Sequence, residues 1–335
     1  MSTRVAINGF GRIGRNVLKA SLEHKLKLDF VAVNDLTDTK TLAHLLQYDT
    51  SYGHYDKNVT FDEQHIIVDG KKIRVFAEKD PSLLPWKELK IDVVVESTGR
   101  FTDKEGMSLH VKAGAKRVVL SAPAKGGGVP THVMGVNDKT LGDAALINNA
   151  SCTTNCISPV AAIMHETFGV KKAMMTTVHA YTPDQVLQDG PHKDLRRARA
   201  AATNIIPTTT GAAIAVTEAI PELQGLFDGL SIRVPVMVVS LSDFTFVLKK
   251  HVTAEEINAA LVAASKLPRW KGILAVTNEE LVSSDFIKNS YSSIVDLSLT
   301  KVVDGDLVKV VAWYDNEWGY SCRLAEMVER VGRGL

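Results

Sequence analysis

Residues Arg4-Val5-Ala6-Ile7-Asn8 form a short apolar run that leads straight into Gly9-Phe10-Gly11-Arg12-Ile13-Gly14. A helical pattern follows, with Ile13, Val17, Leu18 and Leu22 on one face. A second strand at 30–33 then ends in Asn34-Asp35, and Asp35 lies 21 residues beyond Gly14. A glycine pattern alone marks only a turn. Strand, glycine loop, helix, strand and acid in this order make a dinucleotide-binding unit. Gly9 permits the tight turn, Gly11 lets backbone approach a pyrophosphate, and Gly14 allows close packing of helix on strand. The helix start, carrying Arg12 and Ile13, supplies N–H donors to phosphates. Asp35 is placed to accept hydrogen bonds from ribose hydroxyls and to repel a 2′-phosphate, which favours NAD over NADP.

The pattern of alternating strands and helices continues to about residue 150, with further strands at 93–95, 118–120 and 145–147. Each runs into small or polar residues, and in a parallel sheet such turns line the ligand cleft. Longer, alternating strands come afterwards at 173–178, 231–234, 243–248 and 307–313, with a helix near 254–266. That grammar predicts a mixed or antiparallel sheet with helices on one side. After Asn316 the chain is helical again, with Leu324, Met327, Val328 and Val331 on one stripe. The expected class is therefore α/β: a Rossmann-type doubly wound parallel sheet plus an α+β domain with a mixed or antiparallel sheet. A length of 335 residues suits two domains.

Charge and cysteine content exclude several classes. With 39 basic and 38 acidic residues the net charge is +1, so no global field recruits nucleic acid or a membrane surface. Only 6% of residues are aromatic, too few for a basic groove with interleaved aromatic rings. Three cysteines do not make a disulfide framework, and a reduced, cytoplasmic setting is expected. The chain enters a strand by residue 4 and has no apolar run of membrane-spanning length, so neither a signal peptide nor a membrane anchor is expected.

The segment Ala150-Ser151-Cys152-Thr153-Thr154-Asn155-Cys156 places a thiol where an apolar helical pattern begins, with Pro159 expected in the first turn. Unpaired N–H groups and the macrodipole at a helix start favour a thiolate, so Cys152 is a candidate nucleophile with a lowered pKa. The ordinary alternative is a small buried hydrophobe. His179 ends a strand 27 residues later and can serve as the base that activates the thiol. Cys152 and Cys156 have no second Cys/His pair at suitable spacing, so no metal site is expected, and Cys322 on the tail helix is read as packing. Arg196, Arg197 and Arg199 in one polar stretch, Thr208-Thr209-Thr210-Gly211 before a helix start, and Arg233 within a strand together suggest an anionic, phosphorylated substrate.

Over essentially its whole length the chain resembles phosphorylating glyceraldehyde-3-phosphate dehydrogenase of the bacterial and organellar kind. The matching motifs are Asn8-Gly9-Phe10-Gly11-Arg12-Ile13-Gly14-Arg15, the 150–156 segment, His179-Ala180-Tyr181-Thr182, the 194–201 run, Thr210-Gly211-Ala212-Ala213, Arg233-Val234-Pro235 and Trp313-Tyr314-Asp315-Asn316-Glu317-Trp318-Gly319-Tyr320. The resemblance implies oxidation of glyceraldehyde 3-phosphate to 1,3-bisphosphoglycerate with NAD and inorganic phosphate, through a thiohemiacetal and a thioester on Cys152, with His179 as base. Erythrose 4-phosphate or another phosphorylated aldehyde is the alternative substrate. It also implies that Gly9, Gly11, Arg12, Ile13, Gly14, Asp35, Lys79, Ser121 and Asn316 serve NAD. Thr182 and Arg233 are assigned to the substrate's phosphate, Ser151, Thr210 and Gly211 to the incoming phosphate, Arg197 to a further substrate contact, and Thr153 to substrate or phosphate binding. Residues 1–151 become an NAD-binding domain completed by helix 316–335, and 152–315 a catalytic domain. The loop at about 180–205 would reach a neighbouring subunit of a homotetramer.

The sequence departs from the family pattern at four places. Lys79 replaces a usual arginine, Gly190 a leucine that helps to exclude NADP, and Ile214 a lysine, while Val236-Met237-Val238-Val239 replaces a more polar run.

Overall fold

The computed structural model describes residues 2–333 and 335, in two units that each carry one large sheet. The first unit comprises the chain up to His132, residues 139–150, and Ser321 onward. Its elements are β1 (Thr3–Asn8), α1 (Arg12–Glu23), β2 (Leu28–Asn34), α2 (Thr39–Gln47), β3 (Tyr48–Asp49), β4 (Gly53–His54), β5 (Val59–Phe61), β6 (His65–Val68), β7 (Lys71–Phe76), β8 (Val93–Glu96), α3 (Lys104–Lys112), β9 (Arg117–Leu120) and β10 (Leu146–Asn148). The sheet order is β10-β9-β8-β1-β2-β7-β6-β5, parallel from β10 through β7. Val5, Ile7, Val93, Val94 and Val95 are fully buried, the burial expected of a sheet covered on both faces.

Register matters more than order here. Asn8 pairs with Asn34 on one side and Glu96 on the other, Glu96 with Leu120, and Leu120 with Asn148. The carboxyl ends of five strands therefore form one row, and the chain leaves β1 on one side for β2 while β8 lies on the other. That is the switch point at which open parallel sheets bind ligands.

The expected strand–helix alternation breaks at residues 48–76, which fold as short antiparallel strands after α2. Turn chemistry is the reason. Asp69 and Gly70 both take positive φ, 48° and 81°, which suits the tight turn joining β6 to β7. Asp62 closes the preceding turn by accepting from Gln64 N at 2.9 Å.

The second unit comprises residues 133–138 and 151–320. Its elements are α4 (Cys152–Phe168), β11 (Val170–Ala180), β12 (Ile206–Thr208), α5 (Ala212–Ala219), β13 (Phe227–Val234), β14 (Ser240–Leu248), α6 (Ala254–Ser265), β15 (Leu274–Thr277), β16 (Ser293–Asp296), β17 (Lys301–Val303) and β18 (Leu307–Tyr314). The sheet order is β12-β13-β11-β14-β18-β16-β15, with β17 beside β18. It is mixed: β11 runs parallel to β13 and antiparallel to β14. Alternate residues of β14 are buried, among them Phe244, Phe246 and Leu248 at 0% exposure, and α4 packs against β14, β16 and β18. The core of this unit lies between that face and α4.

Two expectations about helix ends need correction. Helix α4 starts at Cys152, because the Ser151 hydroxyl caps it by accepting from Thr154 N at 3.1 Å. Pro159 therefore lies inside the helix and not in its first turn. The tail helix α7 (Trp318–Gly332) starts two residues after Asn316, because Asp315 Oδ1 accepts from Glu317 N at 3.0 Å and Trp318 N at 2.8 Å. Leu324, Met327, Val328 and Val331 are all buried on α7, as is Cys322.

Candidate active site

In the first unit a cleft of about 280 Å³ opens at the row of strand ends. Gly9, Gly11, Asp35, Lys79, Thr98 and Phe101 are among its lining residues. Gly9 has φ +90°, and a Cβ there would lie 2.7 Å from Thr98 N; a Cβ on Gly14 would lie 2.3 Å from Gly9 O. A Cβ on Gly11 would meet nothing within 4 Å, so at this point the loop faces open space with bare backbone. Helix α1 begins at the next residue, and Gly11 offers no side chain to occupy its first N–H groups. The Asp35 carboxylate accepts from Phe10 N at 2.8 Å and Thr37 N at 3.1 Å, one donor on each oxygen, which leaves lone pairs for ribose hydroxyls. These features fit a dinucleotide: a phosphate nest at Gly11 and the start of α1, with an acid at the ribose position.

The other residues expected at the cofactor are placed differently. The Arg12 guanidinium turns to Asp49, with two contacts at 3.1 and 3.2 Å, so its backbone N–H is the group at the helix start. Ile13 sits beside it in the first turn of α1. Ser121 follows β9 and gives its N–H to Glu96 O at 2.9 Å. Asn316 lies in the second unit and is 4% exposed.

A polar floor that the sequence reading missed supports the cleft. Fully buried Glu96 accepts from Asn8 Nδ2 at 2.6 Å, His110 Nε2 at 3.0 Å and Thr98 N at 2.8 Å. Trp86 Nε1 can only donate, and it donates to His110 Nδ1 at 3.0 Å, so the His110 hydrogen is on Nε2, facing Glu96. Buried polar groups so fully paired hold the Asn8 and Thr98 loops in one arrangement.

In the second unit, Cys152 is the first residue of α4 and its Sγ lies 3.5 Å from His179 Nε2. His179 Nδ1 is 2.6 Å from Ala180 O. A carbonyl can only accept, so the hydrogen is on Nδ1 and Nε2 presents a lone pair to the thiol. Strand pairing sets Arg233 directly beside His179. Below them, the hydroxyl of buried Tyr314 meets Thr153 Oγ1 at 2.9 Å and Thr177 Oγ1 at 2.8 Å. Thr153 is thus turned into the protein, although its hydroxyl was expected at the substrate or a phosphate.

The expected lowering of the Cys152 pKa is not what the resting geometry gives. Burial pushes the thiol up, and the nearby Arg233 guanidinium pulls only partly against it. Burial, seconded by Arg233, also drives His179 down to about 3, against the hydrogen bond to Ala180 O. Cys156 is shifted the same way as Cys152: fully buried, its thiol is pushed up to about 12 by burial.

Beside this pair runs a chain of anion-binding groups. Arg233 Nη1 donates to Thr182 Oγ1 at 2.7 Å, and the Thr182 hydroxyl donates in turn to Asp184. Arg197 reaches Asp184 Oδ2 at 2.6 Å, Thr208 Oγ1 at 2.9 Å and Thr209 O at 3.2 Å. Burial alone would raise the Asp184 pKa, but the Thr182 hydrogen bond and the two guanidinium groups hold it below the usual carboxylate range. Arg233 Nε is buried with no hydrogen-bond partner, an orphan donor beside the thiol pair. Thr210 Oγ1 accepts from Ala212 N at 3.1 Å and Gly211 caps α5, so these two stand at a helix start outside the chain. The Ser151 hydroxyl is engaged in capping α4.

Asp184 and Tyr314 escaped the sequence reading as site residues. Loop packing and register bring them in; the one signal was Tyr314's place in the tryptophan-rich tail motif.

Comparison with known proteins agrees across the chain. Residues 3–104 match the family model described as glyceraldehyde 3-phosphate dehydrogenase, NAD binding domain, and residues 151–316 match its C-terminal domain. Glyceraldehyde-3-phosphate dehydrogenase of Geobacillus stearothermophilus is 54% identical, with all of both chains covered. The protein of the same name from Borreliella burgdorferi is 53% identical over 98% of this chain and 99% of its own, and that of Streptomyces coelicolor is 52% identical with both chains covered in full.

Proposed function

The chain belongs to the glyceraldehyde-3-phosphate dehydrogenase family, and on that premise we propose that it oxidises glyceraldehyde 3-phosphate to 1,3-bisphosphoglycerate, with NAD and inorganic phosphate as co-substrates. The observation that carries the proposal is the Cys152–His179 pair at 3.5 Å, with the Nε2 lone pair facing Sγ and Arg233 alongside.

The thiol proton passes to His179 Nε2 as Sγ bonds to the aldehyde carbon. The oxyanion lies near the first N–H groups of α4 and takes the proton back from the imidazolium, giving a thiohemiacetal. His179 then removes the hydroxyl proton as the carbonyl re-forms and the oxidised carbon becomes a thioester. NAD, bound at the glycine loop and Asp35, supplies the hydride acceptor for that step. Inorganic phosphate attacks the thioester and expels the Cys152 thiolate, which is reprotonated.

Thr182, Arg197 and Arg233 would hold the substrate phosphate, which takes over part of the role Asp184 has now. Thr210 and Gly211, with the backbone at Ser151 and Thr153, would meet the incoming phosphate at two helix starts. In this reading the first unit binds NAD, completed by the tail helix, and the second does the chemistry. We also place the protein in the cytoplasm as a homotetramer. Leu187 and Leu195, each 82% exposed on the loop at about 180–205, support a partner surface there.

Steady-state NADH formation tests the activity, with glyceraldehyde 3-phosphate and erythrose 4-phosphate compared in the presence and absence of phosphate. A higher kcat/KM on the triose, dependent on phosphate, is expected. Preference for the four-carbon sugar would move the chain to the alternative substrate. Sedimentation analysis tests the tetramer.

A further inference from the structure

The segment 236–239 joins β13 to β14 and ends in an unusual residue. Val239 is 2% exposed and has φ +75°, a left-handed conformation that is strained for a β-branched residue. The next residue, Ser240, is also buried. Its Oγ accepts from Ala180 N at 3.1 Å and donates to Asn316 Oδ1 at 3.0 Å. The carbonyl of the same residue, in the next peptide along, accepts from His179 Nδ1 at 2.6 Å and Arg233 Nη1 at 3.3 Å.

We infer that Ser240 is a positioning residue for the proposed reaction: held in place by the strained Val239, it ties the Ala180 peptide to Asn316. It thereby sets the direction of His179 Nε2 toward Cys152 and the orientation of the Asn316 amide. The chemistry of the hydroxyl makes this specific. Ala180 N can only donate, so a lone pair of Oγ is used there, and the single hydroxyl hydrogen goes to Asn316 Oδ1. The Asn316 Nδ2 hydrogens are then the ones directed away from Ser240. On the other side, the Ala180 N–H fixes the peptide that leads out of His179, and the Ala180 carbonyl in the next peptide holds the imidazole through Nδ1 in the tautomer the thiol needs. An alanine at 240 would remove both links without touching Cys152 or His179. Val238 and Val239, the two residues before Ser240, are both buried.

The inference rests on the activity proposed above, and its test separates the two. In the full chain, Ser240→Ala should lower kcat for NADH formation about ten-fold, the cost of one hydrogen bond's worth of misalignment, with the aldehyde KM within about two-fold. In a His179→Asn background the same change should cost clearly less than in the wild type, because only the link to Asn316 is then left to lose. Ser240→Thr keeps the hydroxyl and should retain activity, while its near-isostere Ser240→Val should lose it, which separates the hydroxyl from packing. Alkylation of Cys152 by iodoacetamide in the protein alone should slow in step with kcat, and this readout needs no substrate. A wild-type chain that fails to oxidise the triose would sink the activity, yet alkylation would still report on Ser240. Wild-type kcat and alkylation rates in Ser240→Ala, or an equal loss in the His179→Asn background, would overturn the inference.

Discussion

The cofactor cleft and the thiol centre are built from different materials. In the first unit the groups aimed at a ligand are mostly backbone: bare glycine at Gly11, the N–H groups that open α1, and one carboxylate, Asp35, which is itself steered by backbone donors. In the second unit they are side chains gathered from a helix start, three strands and a loop: Cys152, His179, Arg233, Tyr314, Thr182 and Arg197. A backbone-built site fails by losing affinity. A side-chain-built site, whose members perturb one another's protonation, fails by losing chemistry.

The sharpest separation is expected from Cys152→Ser. An alcohol is barely ionised near neutral pH, so NADH formation should vanish while NAD still binds, as measured by fluorescence titration. His179→Asn comes next, with hydride transfer in single turnovers slowed by roughly two to four orders of magnitude, the range for a lost general base. Unchanged single-turnover rates would mean that another residue is the base. On the other side of the comparison, Gly14→Ala forces a Cβ to within 2.3 Å of Gly9 O. The loop must shift, so the KM for NAD should rise at least about ten-fold while kcat at saturating NAD stays within about three-fold. A fall in kcat with unchanged KM would break the division of labour.

Two smaller effects refine it. NAD should be preferred to NADP by at least about ten-fold in catalytic efficiency, about 1.4 kcal/mol, because Asp35 repels a 2′-phosphate. Asp35→Gly should narrow that ratio by improving NADP use. Gly190 removes bulk that would help the exclusion, so the charge is left to do most of it. The smallest effect is on stability. Folding lowers the His179 pKa from 6.5 to about 3, so the unfolded chain binds a proton that the folded chain refuses. This contribution is fully present above about pH 6.5 and declines as pH falls toward 3, by at most about 1.4 kcal/mol per pH unit. The melting temperature of the wild type should therefore fall more steeply than that of His179→Asn from about pH 6.5 to about pH 5.

The same contrast explains what the sequence disclosed. Gly9, Gly11, Gly14 and Asp35 are close in the chain, so spacing alone assembled the cleft, and the row of strand ends followed from the parallel grammar. Cys152 and His179 were legible as residue types at a helix start and a strand end, but their contact depends on register. Tyr314 and Ser240 enter only when β11, β14 and β18 align, and Asp184 only through loop packing. The direction of the Cys152 shift was misread for a related reason. A helix start argues for a thiolate, but the cost of burial depends on everything packed around the sulfur, which no local motif records. The hairpins at 48–76 break the alternation because their strands are short and closed by tight turns, Asp69-Gly70 among them.

A transient measurement of NADH formation from glyceraldehyde 3-phosphate, first without phosphate and then with it, tests the central claim most directly. Without phosphate the account predicts a burst close to one NADH per chain that then stalls, because the thioester on Cys152 has no acceptor. Added phosphate should restore turnover, and prior alkylation of Cys152 should abolish the burst. Steady turnover without phosphate, or a burst that survives alkylation, would contradict a phosphorylating enzyme built on the Cys152–His179 pair.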